Sequence, residues 1–284
     1  RNYGASNPTF TDSYSGGTGA DLAGAEQLAV SGAAVNAGTY AIVPSGAVSS
    51  TKALSFVNGT LTINRAPLTI TATDQTHVYG TPFVFTGSEF TSSGLLTGDT
   101  IGSVTLTPGG NAATSSVGGG PYAIVPSAAT GGTFSTGNYN ITYVNGAMTV
   151  TQAPLTVRAS NQSHAYGSTL SLAGTEFTSS GLKNGETIGS VTLTAGGNTV
   201  TSDVASSPYA IFPSAATGGT FSAGNYNITY TSGTMTVNPA AVTVTANNGS
   251  HGYGSPLAFA GTEFSTSGLK NGDTIGSVTF TAGG

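Results

Sequence analysis

The chain contains no cysteine and no tryptophan, and only six of its 284 residues are Lys or Arg. Without cysteine there is neither a disulfide framework nor a thiolate site. Six basic residues against eleven acidic ones, a net charge of -5, leave no basic stripe to displace counterions from a phosphate backbone, so no nucleic-acid partner is expected. Lys, Arg, Asp and Glu together make up 6% of the chain, against roughly a quarter in an ordinary soluble domain. Thr, Ser, Asn and the backbone itself must therefore wet the surface. No apolar run approaches the ~18 residues of a bilayer-spanning helix, and no charged leader followed by an apolar core opens the sequence. The expectation is a segment without a membrane span or an export signal of its own.

What the chain has is 43 glycines and an apolar fraction of 37%, and the apolar residues are periodic, as a packed core requires. It also has repetition. NYNITYVNGAMTV at 138–150 returns as NYNITYTSGTMTV at 225–237; Tyr79-Gly80 returns as Tyr166-Gly167 and Tyr253-Gly254; Glu89-Phe90 as Glu176-Phe177 and Glu263-Phe264. Every interval is 87 residues, and 66–152 agrees with 153–239 at 57 of 87 positions without a gap. Residues 1–65 read as a diverged copy: Tyr3-Gly4 precedes Tyr79-Gly80 by 76 residues, eleven short of the period, and the strand expected before its Tyr-Gly is missing. Residues 240–284 match 66–110 and stop. The expected organisation is a diverged, N-terminally incomplete repeat at 1–65, repeats at 66–152 and 153–239, and a C-terminally incomplete repeat at 240–284. A period of 87 suits a small independent domain rather than a solenoid unit.

Within a copy, Leu68, Ile70 and Ala72 alternate with threonines, and their counterparts are Leu155, Val157, Ala159 and Val242, Val244, Ala246. This period of two, rich in β-branched residues, predicts a half-buried strand. Tyr139, Ile141 and Tyr143, then Asn145-Gly146, then Met148 and Val150 predict a β-hairpin with a type I′ turn; Asn58-Gly59 and Ser232-Gly233 fill the same slot. Val104 and Leu106, then Tyr122 and Ile124, supply further strands. No useful helical period is found. Six to eight short strands per copy predict an all-β chain of tandem Ig-like β-sandwich domains arranged end to end, with β-grasp-like repeats as the alternative. Short junctions carrying Pro, as at Gln152-Ala153-Pro154, restrict hinge motion.

The order of these features, a Pro-led strand, Tyr-Gly, a Gly-Asp-Thr-Ile turn, a Tyr-Ala-Ile strand and a closing NYNIT, resembles the MBG-type repeats of bacterial surface proteins, the variety named for its Tyr-Gly motif. The likeness covers 66–284 well and 1–65 more loosely. It implies an extracellular location, on the bacterial cell surface or secreted, in large adhesins similar to filamentous haemagglutinins, with a spacer or adhesive role. It implies no catalytic residues. The absence of cysteine fits an exported protein.

Several side chains remain to be weighed. His77, His164 and His251 occur once per copy, too sparsely for a shared metal site, and read as hydrogen-bonding edge or loop residues. Glu89, Glu176 and Glu263, with Asp99, Glu186 and Asp273 about ten residues on, have the composition of a glycosidase pair, but read as capping and turn acids. Calcium at oxygen-rich junctions remains open, although no EF-hand pattern occurs. Lys183 and Lys270 lie in turns, and the corresponding residue is Leu96, against an isopeptide role. Asn140-Ile141-Thr142 is a sequon that Asn- and Thr-rich composition alone produces. Tyr79, Tyr166 and Tyr253 are candidate contacts for sugar rings; the alternative is that each ring plugs its own sandwich, its hydroxyl on backbone, with the next Gly at positive φ. No cofactor, metal or catalytic residue is expected. The leading expectation is a non-enzymatic stalk whose partners are neighbouring repeats of the same chain. A module binding glycans or host proteins, and a self-associating filament or matrix component, are the alternatives.

Overall fold

The computed structural model describes residues 1–281. Two compact units divide the chain, Arg1–Thr151 and the residues from Gln152 onward. Both are built from β-strands, and the helical segments among the described residues are three-residue 3-10 turns such as Thr136–Asn138 and Ala223–Asn225. The β-grasp alternative, which needs a helix across its sheet, finds none among the described residues.

The first unit opens with an antiparallel sheet, β1 (Gln27–Val30), β2 (Gly38–Ser45) and β3 (Gly59–Ile63), in sequential order. Leu61, Ile63 and Ala34 form its small core, covered by Tyr3, Phe10, Val30, Tyr40 and Ile42. After Asn64 and Arg65 come seven strands: β4 (Ala66–Ala72), β5 (Gln75–Val78), β6 (Phe90–Ser93), β7 (Ser103–Pro108), β8 (Tyr122–Thr130), β9 (Tyr139–Val144) and β10 (Gly146–Thr151). They make a three-stranded sheet, β6-β4-β9, and a four-stranded one, β5-β10-β8-β7. The alternation in β4 is complete: Ala66, Leu68, Ile70 and Ala72 are buried, while Pro67 is exposed and Thr69 and Thr71 sit at half depth. Leu68 and Ile70 pack with Val104 and Ala129 of the opposite sheet and with Tyr139. Ala72 meets Ile124 and Met148 of that sheet, so the two sheets form one sandwich. Each fully buried aliphatic side chain contributes about 1.5–3 kcal/mol.

NYNITYVNGAMTV is not a hairpin. β9 pairs in parallel with β4, while β10 pairs with β5 and β8 in the other sheet. Asn145-Gly146 is where the chain crosses between sheets, and neither residue has the positive φ that a type I′ turn demands. Gly146 is glycine for lack of room: a Cβ there would lie 2.5 Å from the carbonyl oxygen of Ala72 and 2.9 Å from its carbon. The crossing is anchored by Asp74, whose carboxylate accepts the Ala147 N–H at 2.7 Å. In the next copy Asn161 accepts the Thr234 N–H at 3.0 Å, which explains why Asp and Asn interchange here: only an acceptor oxygen is used.

Both tyrosines of the motif hold the opposite sheet or its loops. The Tyr139 hydroxyl accepts the Leu96 N–H at 3.1 Å. The Tyr143 hydroxyl accepts the Ala129 N–H at 2.9 Å, a donor freed where the β7–β8 register shifts and Ala128 takes a φ of +46°.

The second unit repeats this arrangement with β11 (Ala153–Ala159), β12 (Gln162–Ala165), β13 (Phe177–Ser180), β14 (Ile188–Ala195), β15 (Tyr209–Gly219), β16 (Tyr226–Thr231) and β17 (Gly233–Asn238), in sheets β13-β11-β16 and β12-β17-β15-β14. Tyr226 and Tyr230 accept the Lys183 and Ala216 N–H groups at 2.9 and 2.8 Å. It then continues into β18 (Thr243–Ala246) and β19 (Phe264–Ser267), an antiparallel pair. Contrary to the half-buried strand expected from the sequence, Val242 and Val244 are exposed. The strands that cover their counterparts in β4 and β11 have no equivalent among the described residues 240–281.

Candidate functional site

The Tyr-Gly pair sits where the parallel ladder of β5 and β10 runs out. The Tyr79 N–H continues that ladder to Thr151 O at 2.9 Å, as Tyr166 does to Asn238 O and Tyr3 to Asn64 O, both at 2.8 Å. A tight turn follows immediately: Thr81 N–H reaches Val78 O at 3.0 Å, Ser168 reaches Ala165 O at 3.1 Å, and Ala5 reaches Asn2 O at 3.1 Å. Gly4, Gly80, Gly167 and Gly254 occupy the third position with φ from +80° to +85°, the geometry of a type II turn. The tyrosine therefore stands at the corner of each sandwich.

His77 stabilises this corner. Its Nε2 lies 2.8 Å from Gly110 O and its Nδ1 3.2 Å from Val78 O; His164 repeats the arrangement with Gly197 O and Ala165 O at 2.8 and 3.0 Å. Both rings are buried. His251 is exposed, its Nδ1 3.1 Å from Gly252 O. These are the hydrogen-bonding edge histidines that the sequence suggested.

At two of the Tyr-Gly pairs the tyrosine hydroxyl leaves its own repeat. Tyr3 donates to Asp99 Oδ2 at 3.2 Å and meets Tyr139 edge to face with ring centroids 5.5 Å apart. In the second unit Tyr166 donates to Asp273 Oδ1 at 3.4 Å. The reading in which each hydroxyl finds its own backbone is corrected at Tyr166, whose partner is an acid of the following repeat, as that of Tyr3 is. Tyr79 is buried, whereas Tyr253 is fully exposed.

The acids are presented by tight turns. Asp99 N–H bonds Leu96 O at 3.0 Å, Glu186 bonds Lys183 O at 2.9 Å and Asp273 bonds Lys270 O at 2.8 Å. Asn184 and Gly185, and again Asn271 and Gly272, have positive φ at both central positions, making these type I′ turns. Asp99 also accepts from Tyr139, and Glu186 from Tyr226. Burial, reinforced by the adjacent Asp99 carboxylate, pushes the Tyr139 hydroxyl up to about 12. Tyr3 is raised for the same reasons, burial first. Both phenols thus remain donors at any ordinary pH.

More polar contacts surround this meeting point. Asn138 accepts the Ala37 N–H through Oδ1 and donates to Asn36 Oδ1, each at 2.9 Å. Asn271 donates to Val200 O at 2.7 Å. Composition and spacing within one copy did not reveal these contacts, because each partner lies in a different copy.

The other acids cap loops. Glu176 accepts the N–H groups of Ala173, Gly174 and Thr175 at 3.0, 2.9 and 3.1 Å, and Glu263 does the same for Ala260, Gly261 and Thr262. Glu89 takes those of Thr86, Gly87 and Ser88. The backbone donors hold Glu176 and Glu263 below the usual glutamate range, with Ala173 and Ala260 foremost. At Glu89 burial works the other way, but the Thr86 hydroxyl and N–H outweigh it and the carboxyl is again lowered. A depressed folded-state value stabilises the fold fully above the ordinary glutamate value of 4.5, and that contribution is lost as pH falls through the folded value. Glu176→Gln is expected to flatten the decline of Tm between about pH 5 and 3, measured by circular dichroism melts; a decline as steep as that of the parent chain contradicts the capping role.

Among the described residues no three His, Asp or Glu side chains come together as metal ligands, and none of the helices is long and apolar enough to cross a membrane. The family described as MBG domain (YGX type) matches residues 1–62, 68–149 and 155–236. No curated protein matches the chain.

Proposed function

The chain belongs to the MBG domain family of YGX type, whose repeats are found in surface adhesin-like proteins, and from that premise we propose that it is a non-enzymatic spacer segment giving reach to such a protein. The observation that carries this reading is the contact between a corner tyrosine of one repeat and a turn acid of the next, made at two separate places in the chain. A recurring junction is what a spacer requires, because reach scales with copy number only when each copy is joined in the same way. The acids support the reading as well, since Glu89, Glu176 and Glu263 are committed to loop N–H groups, and Asp99 and Glu186 to tyrosine hydroxyls. Location on the cell surface or in the secreted fraction is part of the same proposal.

Removing one whole 87-residue period from the parent protein tests it. The expected result is a shorter protrusion in electron micrographs with any binding carried elsewhere in the protein intact. Loss of that binding without loss of length contradicts the reading. One observation favours an adhesive role instead: the fully exposed ring of Tyr253 has the apolar face and hydroxyl that suit a sugar. On a glycan array, a signal abolished by Tyr253→Ala supports adhesion, whereas a silent array favours the spacer.

A further inference from the structure

We propose that Tyr-Gly is a latch: at Tyr3-Gly4 and at Tyr166-Gly167 it is a receptor for the acid-bearing turn of the repeat that follows. The recurrence of both residues follows from this contact. At the first junction Tyr3 donates to Asp99, and Gly4 lies under the Leu96 side chain so closely that a Cβ would collide with Leu96 Cδ1. Where residues 153–239 meet the copy that follows, Tyr166 donates to Asp273, and a Cβ on Gly167 would lie 2.5 Å from Lys270 Cγ and 2.7 Å from Lys270 Cβ. The partners correspond: Leu96 and Lys270 open the two turns, and Asp99 and Asp273 close them.

The sequence separations correspond as well. Tyr166 and Asp273 are 107 residues apart and Tyr3 and Asp99 are 96 apart; the difference, 107 - 96 = 11, equals the residues that the first copy lacks. The contact has therefore kept its partners through a change in loop length within the copy that donates the tyrosine. Leucine and lysine are interchangeable beneath the glycine because only the aliphatic part of the lysine lies there, leaving its ammonium free to reach solvent. In both contacts the acid position holds a carboxylate, an acceptor-only group suited to a phenol donor.

Tyr253-Gly254 carries the same turn, with Gly254 at +81° and Ser255 N–H on Gly252 O at 3.1 Å, and its ring is open to solvent. It is the same receptor, with no turn against it among the described residues. The occupant that fits is the turn of another MBG repeat, with an aliphatic stem three residues before an Asp or Glu.

The latch stands whether or not the array serves reach, because its test reads contact and not length. In the full chain, Tyr166→Phe and Asp273→Ala are made singly and together, and amide hydrogen exchange is followed at 264–273 and in β16 and β17. Each single variant is expected to speed exchange at 264–273 about threefold to tenfold, and the double variant no further, since one hydrogen bond is removed in every case. β16 and β17 exchange as before, and Tyr253→Ala changes neither region. Additive effects, or unchanged exchange at 264–273 in both single variants, overturn the latch.

Discussion

Gly233→Ala is expected to destabilise the second sandwich by about 2–3 kcal/mol. The new Cβ meets Ala159 O at 2.5 Å, Ala159 C at 2.9 Å and Ser160 O at 3.0 Å. All three are backbone atoms at the end of β11, the central strand of its sheet, whose Ala153, Leu155, Val157 and Ala159 are buried. No rotamer relieves the contact, so either β17 leaves its register or the core opens. Gly224→Ala is the control: nothing lies within 4 Å of its Cβ, and its effect should stay within about 0.5 kcal/mol. Urea unfolding followed by fluorescence or circular dichroism measures both. Equal effects at the two sites contradict the assignment of Gly233 to a close crossing.

Tyr139→Phe carries the second large effect, about 1–3 kcal/mol. Its ring is 1% exposed, so water cannot replace the lost hydroxyl. The Leu96 N–H loses its acceptor, and Asp99 loses one of its two phenol donors. Tyr122→Phe removes a hydroxyl at the surface, bound to Ser116 O at 2.9 Å, and should cost well under 1 kcal/mol, since solvent takes over the carbonyl. A ranking of Tyr122→Phe above Tyr139→Phe in equilibrium unfolding contradicts the network at Asp99.

The strands were legible because burial on one face imposes a period of two that a single sequence displays; Leu68, Ile70 and Ala72 are buried as their spacing predicts. Strand pairing was not legible in the same way. Tyr139, Ile141, Met148 and Val150 alternate equally well whether the two segments pair with each other or with parallel strands 73 residues earlier, and Asn145-Gly146 looks like a hairpin turn in either case. The distinction lies in a steric fact, the approach of Ala72 O to Gly146, which leaves no local mark in the sequence. The exposure of Val242 and Val244 is equally non-local, since their own strand has the same alternation as β4 and β11. Tyr79, Tyr166 and Tyr253 stood out by recurrence, but the partner of Tyr166 did not, because Asp273 belongs to the next copy. The residues that sequence alone read most completely, Glu89, Glu176 and Glu263, cap donors within three positions of themselves.

Solution scattering on arrays of two, three and four copies of the 87-residue period tests the central claim most directly. Repeats that close as separate sandwiches and join in one recurring way increase the maximum dimension by a constant step per copy, on the order of 35–40 Å for strands of this length. A maximum dimension that levels off as copies are added, with the repeats folded back on one another, contradicts the account.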